Sequence, residues 1–350
     1  MSSSFAAASE LPLPTSRTLR AGVIGFGVGE AHARTLAAHQ HTTLTAIADI
    51  DPTKRDAARD QHPEVAVTDT ADAVNADPSI DLVVIASYDD AHHEQVIAAI
   101  RAGKHVFVEK PLCQHAWQTR AIVDELRRNP SVRLSSNLIL RASPRFADLR
   151  DRINRGDLGD LFHFRASYDY GRVHKITDGW RGQIPDYSVT LGGAIHVIDL
   201  MLWLSEARVT RVAAAGNNIA TRGSAFRYDD HSAAMLSFDN GLTALVSANF
   251  ASRRPHFHEF AAYGSLGTFV NGWPHAALYT SDDPNEPPQR VETPYPGVDK
   301  GALLARFVDE IVGGAPPIVT TDDILDAMAV CHAIDAARHS GGVVEPAYLD

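Results

Sequence analysis

The sequence predicts an α/β protein with two domains: a doubly wound parallel sheet, then an α+β domain with a large, mostly antiparallel, open-faced sheet. Three observations predict this fold class. Up to about residue 138 short apolar strands alternate with helical patterns, residues 81–86 form a continuous apolar run, and later strands follow one another across turns such as Asp239-Asn240-Gly241. Alternating strands and helices are typical of parallel sheets covered on both faces, whereas an Asn-Gly turn between apolar runs joins antiparallel strands.

Composition and charge limit the possible partners. The chain has 350 residues, of which 45% are hydrophobic and 21% charged, and this is enough to bury the cores of two globular domains. Its formal net charge of -11 argues against a nucleic-acid partner, because binding to phosphates depends on an excess of cations. Cys113 and Cys331 have no metal-ligand spacing, so we expect no metal site and a reducing compartment.

The start of the chain carries no targeting pattern. No stretch approaches the ~18 apolar residues of a membrane span, and residues 1–17, rich in Ser, Ala and Pro, lack the basic segment of a signal peptide. We therefore expect a cytoplasmic protein that does not bind membranes, with a disordered tail over residues 1–17.

A glycine-rich turn follows the first strand at residues 20–24. Gly25-Phe26-Gly27-Val28-Gly29 precedes a helical pattern, an arrangement that lets the backbone and the helix N-terminus approach a pyrophosphate. The third glycine comes one residue earlier than in the G-x-G-x-x-G pattern, so the turn alone is equally consistent with an ordinary strand-to-helix connection. Asp49 ends the next strand, where an acid hydrogen-bonds the ribose hydroxyls of NAD and repels the 2′-phosphate of NADP. The sequence thus favours NAD, with NADP the less favoured cofactor.

Two later strands deliver polar residues at their carboxyl ends, where parallel sheets bind ligands. Ser87 and Tyr88 follow the run at residues 81–86, and His92 begins the next helix. Glu109 and Lys110 follow the short strand 106–108, which makes Lys110 a candidate reagent. A Glu-Lys pair by itself is more often a solvated ion pair, and His92 by itself is as consistent with a capping or core histidine as with a cofactor neighbour.

The second half of the chain carries a His-x-x-Asp pattern. From Ile195 the apolar spacing is helical, which puts His196 and Asp199 within one turn of a helix that follows Gly192-Gly193. On such an apolar helix, a histidine and an aspartate at this spacing are more often a structural pair than a reactive one.

Two of these motifs carry a resemblance to a known family. The strand Gly103-Lys104-His105-Val106 that leads to Glu109-Lys110-Pro111, and the run Gly192-Gly193 before His196 and Asp199, resemble the glucose-fructose oxidoreductase and inositol dehydrogenase (Gfo/Idh/MocA) family. The resemblance extends over residues 20–344. It implies a dinucleotide-binding Rossmann domain at residues 18–138 and a substrate-binding and oligomerisation domain at residues 139–350.

The resemblance also implies an activity and a set of site residues. The activity is hydride transfer between NAD and the hydroxyl or ketone carbon of a sugar, sugar derivative or cyclitol, in a homodimer or homotetramer. Lys110 and His196 are the implied catalytic residues, with Asp199 as the anchor of the helix that carries His196. The implied cofactor-binding residues are Gly25, Phe26, Gly27, Val28, Gly29, Asp49, Ser87, Tyr88, His92, Glu109 and Lys110. The expected substrate-binding residues are Arg141, Trp180, Arg181, Tyr187 and His196, although the four besides His196 are equally consistent with surface or core packing.

One departure from the family leaves the mechanism open. Many relatives carry another aspartate four residues before the histidine, and this chain has Gly192 there. Two alternatives to a simple dehydrogenase therefore remain: an enzyme that eliminates or hydrolyses glycosides through transient oxidation by NAD, and a non-catalytic dinucleotide-binding sensor. The presence of both Lys110 and His196 argues against the sensor.

Overall fold

The computed structural model describes residues 18–349, so the tail expected over residues 1–17 lies outside the described residues. The described chain divides into two units. The first contains the residues up to Asn137, Lys300–Leu325 and the last residues from Tyr348, and the second contains Leu138–Asp299 and Asp326–Ala347. Residues 300–325, which the sequence analysis assigned to the second domain, therefore belong to the first unit.

The first unit alternates strands and helices. Its elements in chain order are β1 Leu19–Ile24, α1 Gly29–Ala38, β2 Thr42–Ala48, α2 Pro52–Gln61, β3 Ala66–Thr68, α3 Ala71–Ala76, β4 Leu82–Ile85, α4 His92–Arg101, β5 His105–Val108, α5 Ala116–Arg128 and β6 Leu134–Ser136. Within the described residues the six strands form one parallel sheet in the order β3-β2-β1-β4-β5-β6. This confirms the doubly wound sheet, with the strand order reversing between β1 and β4, where such sheets bind ligands at the carboxyl ends.

Two sequence features explain the centre of this sheet. All four residues of β4 are buried, as are Val106, Phe107 and Val108 of β5, which fits strands covered by helices on both faces. Lys104, just before β5, is 3% exposed and donates to the carbonyl oxygens of Asp77 and Ile80 at 2.5 and 2.9 Å. This lysine therefore has a structural role in the described fold.

The later segment of the first unit is held by an apolar helix face. Helix α9, Ala302–Gly313, follows the second unit's elements in sequence and buries Leu303, Leu304, Phe307, Val308, Ile311 and Val312. The ring centre of Phe307 lies 5.9 Å from that of Phe107 in β5. Ser135 of β6 donates to the carbonyl oxygen of Val319 at 3.0 Å, and these contacts give residues 300–325 their place in the first unit.

The second unit is built on an extended sheet. Its helical segments are a 3₁₀ turn at Ile139–Ala142, α6 Pro144–Asn154, α7 His174–Thr177, a 3₁₀ turn at Trp180–Gly182, a π-helical segment at Thr190–Ala194 and α8 Ile195–Ser205. The long α10, Thr321–Ser340, begins in the first unit and belongs to the second from Asp326 onward. Its strands are β7 Leu161–Asp169, β8 Val209–Asn217, β9 His231–Phe238, β10 Thr243–Asn249, β11 Phe257–Gly264, β12 Thr268–Val270, β13 Ala276–Tyr279, β14 Gln289–Val291 and β15 Val343–Val344.

Within the described residues nine strands form one sheet in the order β14-β13-β12-β11-β7-β10-β9-β8-β15. Strands β10 and β7 pair in parallel, and the other neighbours pair antiparallel. This confirms the predicted mostly antiparallel sheet. The turn at residues 239–241 joins β9 to β10, as its sequence predicts.

The two faces of this sheet differ in exposure. Along β9 and β10, Leu236, Ala244 and Val246 are buried, whereas Met235 and Leu245 on the opposite face are 55% and 48% exposed. Met235 and Leu245 are direct cross-strand partners. The face that bears them therefore presents adjoining apolar side chains on the surface of the unit.

Two further predictions concern cysteines and membrane segments. Cys113 and Cys331 are free and buried, and burial raises the pKa of the Cys113 thiol to about 12. Across residues 18–349 no helix combines the length and the apolar character needed to cross a membrane.

Candidate active site

The glycine-rich turn has the geometry of a phosphate-binding loop. Gly25 has φ +90, and a Cβ atom there would lie 2.5 Å from the carbonyl oxygen of Ala86, so both the backbone conformation and the space require glycine. A Cβ atom at Gly29 would lie 2.9 Å from Cγ1 of Val23, which lets α1 start close to the sheet. Around Gly27, by contrast, no atom of the described residues lies within 4 Å of the Cβ position, which leaves room for a ligand. The loop therefore fits a dinucleotide pyrophosphate at the helix N-terminus.

Asp49 stands beside this loop at the carboxyl end of β2. Its Oδ2 atom accepts from the backbone N–H of Phe26 at 2.6 Å, and its Oδ1 atom accepts from the N–H of Asp51 at 2.8 Å. The carboxylate is thereby fixed next to the turn, in the position expected for a ribose-binding acid. The side chain of Phe26 is fully buried and packs edge-on against His62, so it contributes to the core, while Val28 is 36% exposed.

The loop after β4 is tied to the loop after β5 by His92. His92 is fully buried, with its Nδ1 2.7 Å from the carbonyl oxygen of Pro111 and its Nε2 3.3 Å from that of Ser87. Ser87 donates from Oγ to Oε1 of Gln95 at 2.7 Å, and Tyr88 is 42% exposed. His92 thus holds together the two loops that carry the predicted cofactor contacts.

Two side chains of the first unit hold Glu109 in place. Its Oε1 atom lies 2.9 Å from Nε2 of His32, which is fully buried, and accepts from Nδ2 of Asn137 at 2.8 Å. Burial raises the pKa of Glu109, but the hydrogen bond and charge of His32, the Asn137 amide and the charge of Lys110 outweigh it and lower the pKa to about 2. Glu109 is therefore an oriented anion next to Lys110, which is half-buried at the end of β5.

In the second unit His196 stands in the first turn of α8. The helix is fixed by Asp199, whose carboxylate pairs with Arg141 at 2.7 Å from Nη2 and at 3.0 and 3.1 Å from Nε, both side chains being buried. Breaking such a buried pair by removing one partner typically costs about 3–5 kcal/mol. Arg141, which the sequence analysis assigned to substrate binding, acts in this geometry as the anchor of the helix that carries His196.

A cluster of aromatic side chains surrounds His196. Its ring lies 5.9 Å from that of Tyr168 in a stacked arrangement and 5.8 Å from that of His258 edge-on. Nδ1 of His258 lies 2.6 Å from the hydroxyl oxygen of Tyr295. Burial is the main cause that raises the pKa of Tyr168, beside His196, and that raises the pKa of Tyr295, beside His258, to about 12, so both phenols remain neutral.

The other predicted substrate residues lie in the segment before α8. Trp180 and Arg181 are half-buried, and the guanidinium carbon of Arg181 lies 4.4 Å from the centre of the Trp180 ring. Tyr187 is only 3% exposed and packs edge-on against Phe226 and Phe250. The structure thus brings Trp180 and Arg181 together and places Tyr187 in the interior of the unit.

Sequence reasoning missed several side chains that support the site. Asn137 beside Glu109, and Tyr168, His258 and Tyr295 around His196, come from strands and loops that no motif links to the reactive residues. The available signal was the alternation of β11, whose even-numbered residues His258 and Phe260 share its buried face. Among the described residues no group of His, Cys, Asp and Glu has the geometry of a metal site.

The fold and the glycine loop define a Rossmann-type, nucleotide-binding protein with a second, sheet-based domain. Residues 19–137 match the model of an oxidoreductase family with an NAD-binding Rossmann fold, GFO_IDH_MocA, and residues 146–270 match the GFO/IDH/MocA C-terminal domain. Since both halves match models of one family, the chain belongs to the GFO/IDH/MocA oxidoreductase family.

Relatives of known name are distant in sequence. An inositol 2-dehydrogenase of Acidothermus cellulolyticus is 28% identical over 217 residues, which cover 60% of this chain and 61% of that protein. An inositol 2-dehydrogenase/D-chiro-inositol 3-dehydrogenase of Lactiplantibacillus plantarum is 32% identical over 190 residues, 53% of this chain and 52% of that protein. These matches span less than two thirds of either relative.

The likeness of fold extends further along the chain. A levoglucosan dehydrogenase solved in complex with NADH and levoglucosan superposes with a TM-score of 0.83 at 23% identity, covering 95% of this chain and 100% of that one. At this identity the superposition establishes the fold of both domains.

Proposed function

We propose that the protein is an NAD-dependent dehydrogenase that transfers a hydride between the nicotinamide ring and a carbinol carbon of a sugar, sugar derivative or cyclitol. The observation that carries the proposal is Lys110, which follows β5 at the carboxyl edge of an NAD-binding Rossmann sheet and is flanked by the oriented anion Glu109. The named relatives, inositol dehydrogenases, and the structural neighbour bound to NADH and levoglucosan, support the substrate class.

The first unit supplies the cofactor contacts in this proposal. Bound NAD would supply the hydride acceptor. The backbone N–H groups at the start of α1 and the open side of Gly27 would hold the pyrophosphate, and Asp49 would accept hydrogen bonds from the ribose hydroxyls. A 2′-phosphate would meet the Asp49 carboxylate as a like charge, so we propose NAD rather than NADP. Ser87, Tyr88 and the loop held by His92 would line the nicotinamide half.

Lys110 and His196 carry the proton chemistry. When hydride leaves the carbinol carbon, the hydroxyl proton must leave as well, and the imidazole of His196 is a suitable base because its ordinary pKa of ~6.5 lies near neutral pH. The ammonium group of Lys110 would stabilise the developing alkoxide. Asp199 and Arg141 fix the helix that presents the imidazole, and Trp180 and Arg181 supply an aromatic face and donors suited to sugar hydroxyls.

We further propose a homo-oligomer, a dimer or tetramer, formed through the open face of the nine-stranded sheet. Met235 and Leu245 adjoin on that face and are half exposed, and exposed apolar side chains that cluster usually mark association. A reducing, cytoplasmic location is proposed on the basis of the two free cysteines.

A substrate screen tests the function. Sugars and cyclitols are offered with NAD and NADP, and reduction is followed at the nicotinamide absorbance, with a parallel assay for glycoside cleavage. On a confirmed substrate Lys110→Ala and His196→Ala should each lower kcat by ~10²–10⁴, and the double variant should be little worse, because groups acting in one proton transfer are not additive.

Controls separate catalysis from folding. His339→Ala changes an exposed histidine of α10 and should keep the wild-type rate. His196→Ala should retain NAD affinity in calorimetry, because the predicted cofactor contacts all come from the first unit. Wild-type turnover by His196→Ala would exclude the catalytic assignment, and cleavage of glycosides without net reduction of NAD would replace the dehydrogenase with the elimination or hydrolysis alternative.

A further inference from the structure

The helix that follows the glycine-rich turn makes a direct contact with the loop that carries Lys110. His32, the fourth residue of α1, is fully buried, and its Nε2 atom lies 2.9 Å from Oε1 of Glu109. Its ring also packs edge-on against Phe107 of β5, with the ring centres 5.5 Å apart. His32 therefore joins α1 to the residue that precedes Lys110, although 77 positions separate His32 from Glu109 in sequence.

The hydrogen bonds of His32 show which of its ring nitrogens matters. Glu109 is ionised near neutral pH, since its pKa is about 2, and an ionised carboxylate can only accept hydrogen bonds, so Nε2 of His32 donates. The other nitrogen, Nδ1, is buried and has no hydrogen-bond partner among residues 18–349. The hydrogen bond of this buried side chain in the described structure is therefore the one to Glu109.

A second donor meets the same carboxylate oxygen. Nδ2 of Asn137 donates to Oε1 of Glu109 at 2.8 Å, and the backbone N–H of Asn137 donates to the carbonyl oxygen of Val108 at 3.1 Å. One carboxylate oxygen is thus fixed by α1 and by the residue that follows β6. His32 is the more important donor, because burial raises the pKa of Glu109 and the hydrogen bond of His32 is the strongest influence in the opposite direction.

Other titratable residues near this loop do not bind the carboxylate. His92 of α4 is held by the carbonyl oxygen of Pro111, 2.7 Å from its Nδ1 atom. Lys300, just before α9, contributes its backbone carbonyl oxygen, 3.3 Å from Nδ2 of Asn137, and its side chain is exposed. The hydrogen bond of His32 to Glu109 is therefore the specific contact between a titratable side chain and this acid.

The carboxylate of Glu109 acts in turn on Lys110. The charge of Lys110 is one of the influences that lower the pKa of Glu109, and such an interaction is mutual, so the carboxylate favours the ammonium form of Lys110. We infer that His32 is a positioning residue of the proposed reaction: by donating to Glu109 it holds a fixed anion beside Lys110 and so keeps Lys110 protonated. The inference rests on the proposed function, in which that ammonium group stabilises the alkoxide.

The pH dependence of kcat/KM tests this role. His32→Leu removes the donor and keeps an apolar side chain, so the alkaline limb of the profile, set by loss of the Lys110 proton, should move down by about one pH unit. His32→Gln should restore the wild-type limb, because a glutamine amide extends to the place of Nε2, whereas the shorter amide of His32→Asn should not.

His39→Leu is the matched control. This histidine, just after α1, also pairs with an acid, its Nε2 atom lying 3.3 Å from Oδ1 of Asp309. It lies seven residues from His32, about 10 Å along a helix, so its loss should leave the pH profile at the wild-type position.

A titration of Lys110 itself keeps the inference independent of turnover. Its amine signal, assigned by its loss in Lys110→Gln, is followed by NMR without cofactor or substrate in the wild type, His32→Leu, Glu109→Gln and the double variant. Both single changes should lower the pH at which Lys110 loses its proton. The double variant should match Glu109→Gln, because His32 acts through Glu109 and the two effects are therefore not additive.

Two results would overturn the inference: an unmoved titration of Lys110 in His32→Leu, or a full further shift when His32→Leu is added to Glu109→Gln. If His32→Leu does not fold, His32→Asn takes its place in both measurements. If no sugar or cyclitol is oxidised but the titration of Lys110 responds to His32, the proposed function fails and the positioning role stands. If a substrate is oxidised and the titration does not respond, the proposed function stands and the positioning role falls.

Discussion

Gly192→Ala probes the contact between Gly192 and Tyr187 through stability alone. The added methyl group would stand 2.2 Å from the tyrosine hydroxyl and 2.8 Å from Cζ, in a ring that Phe226 and Phe250 keep from moving. Overpacking of this kind costs ~1–3 kcal/mol, and two contacts below 3 Å put it at the upper end. Alanine regains about 1 kcal/mol of helix propensity over glycine. We therefore expect Gly192→Ala to destabilise the protein by about 2 kcal/mol.

Guanidinium chloride unfolding followed by circular dichroism measures the effect, and a double-mutant cycle identifies its cause. In a Tyr187→Leu background the methyl group keeps only an ordinary contact with Phe250, at 3.5 Å from its Cζ atom, so Gly192→Ala should become neutral or stabilising, a coupling of about 2–3 kcal/mol. Gly313→Ala is the matched control: this glycine ends α9, and no atom of the described residues lies within 4 Å of its Cβ position, so alanine should be tolerated. If Gly192→Ala were as stable as the wild type, or equally destabilising in the Tyr187→Leu background, the steric argument would be refuted.

Three further changes test other parts of the structure. Asp49→Ser should reduce the preference for NAD over NADP about ten- to hundredfold in calorimetry, because it removes both the ribose acceptor and the like charge. Glu109→Gln should destabilise the protein near neutral pH and progressively less in acid. The folded-state pKa of Glu109, about 2, lies below the ordinary value of 4.5, so its stabilising contribution is present above pH 4.5 and lost as the pH falls towards 2. Leu245→Glu should lower the mass seen by light scattering if the open sheet face joins subunits, whereas Leu266→Glu, which changes an exposed turn residue, should not.

A specific experimental result would contradict each of these three predictions. Wild-type binding of NADP as tight as that of NAD would remove the cofactor preference. A stability difference between wild type and Glu109→Gln that does not shrink from pH 5 to pH 3 would mean that Glu109 is not the anion described. A wild-type protein that is monomeric at micromolar concentration would exclude the proposed sheet interface.

Local patterns predicted the elements of the fold well and their packing partners poorly. The spacing of apolar residues and the residue types at turns predicted the parallel sheet and the mostly antiparallel sheet. Strands covered on both faces are continuous apolar runs, and hairpin turns have characteristic residues, so both can be recognised in the sequence. The apolar face of α9 predicted a helix but not its unit, since periodicity shows that Phe307 is buried without showing that Phe107 covers it. For the same reason the sequence did not predict that residues 300–325 pack with the first unit.

The same limit applies to the candidate site, because local sequence patterns do not show which side chains pack together. Motifs pointed to Lys110, His196 and Asp199, but residue type alone suggested that Arg141 would meet a sugar, whereas its guanidinium is paired with Asp199 in the interior. Nothing local to Tyr187 indicates that its hydroxyl ends beside Gly192. Such partners are fixed by tertiary packing, so they become visible only in three dimensions.

The two units surround their candidate catalytic side chains with different electrostatic environments. Lys110 follows a buried anion, Glu109, whose low pKa keeps a negative charge next to the ammonium group across the working pH range. Beside His196 the phenol of Tyr168 is neutral, and the one acid of its own helix, Asp199, is committed to Arg141. A carboxylate introduced at residue 192, four residues before His196, should favour the protonated imidazole, so the acidic limb of the pH profile should move upward if His196 is the proposed base.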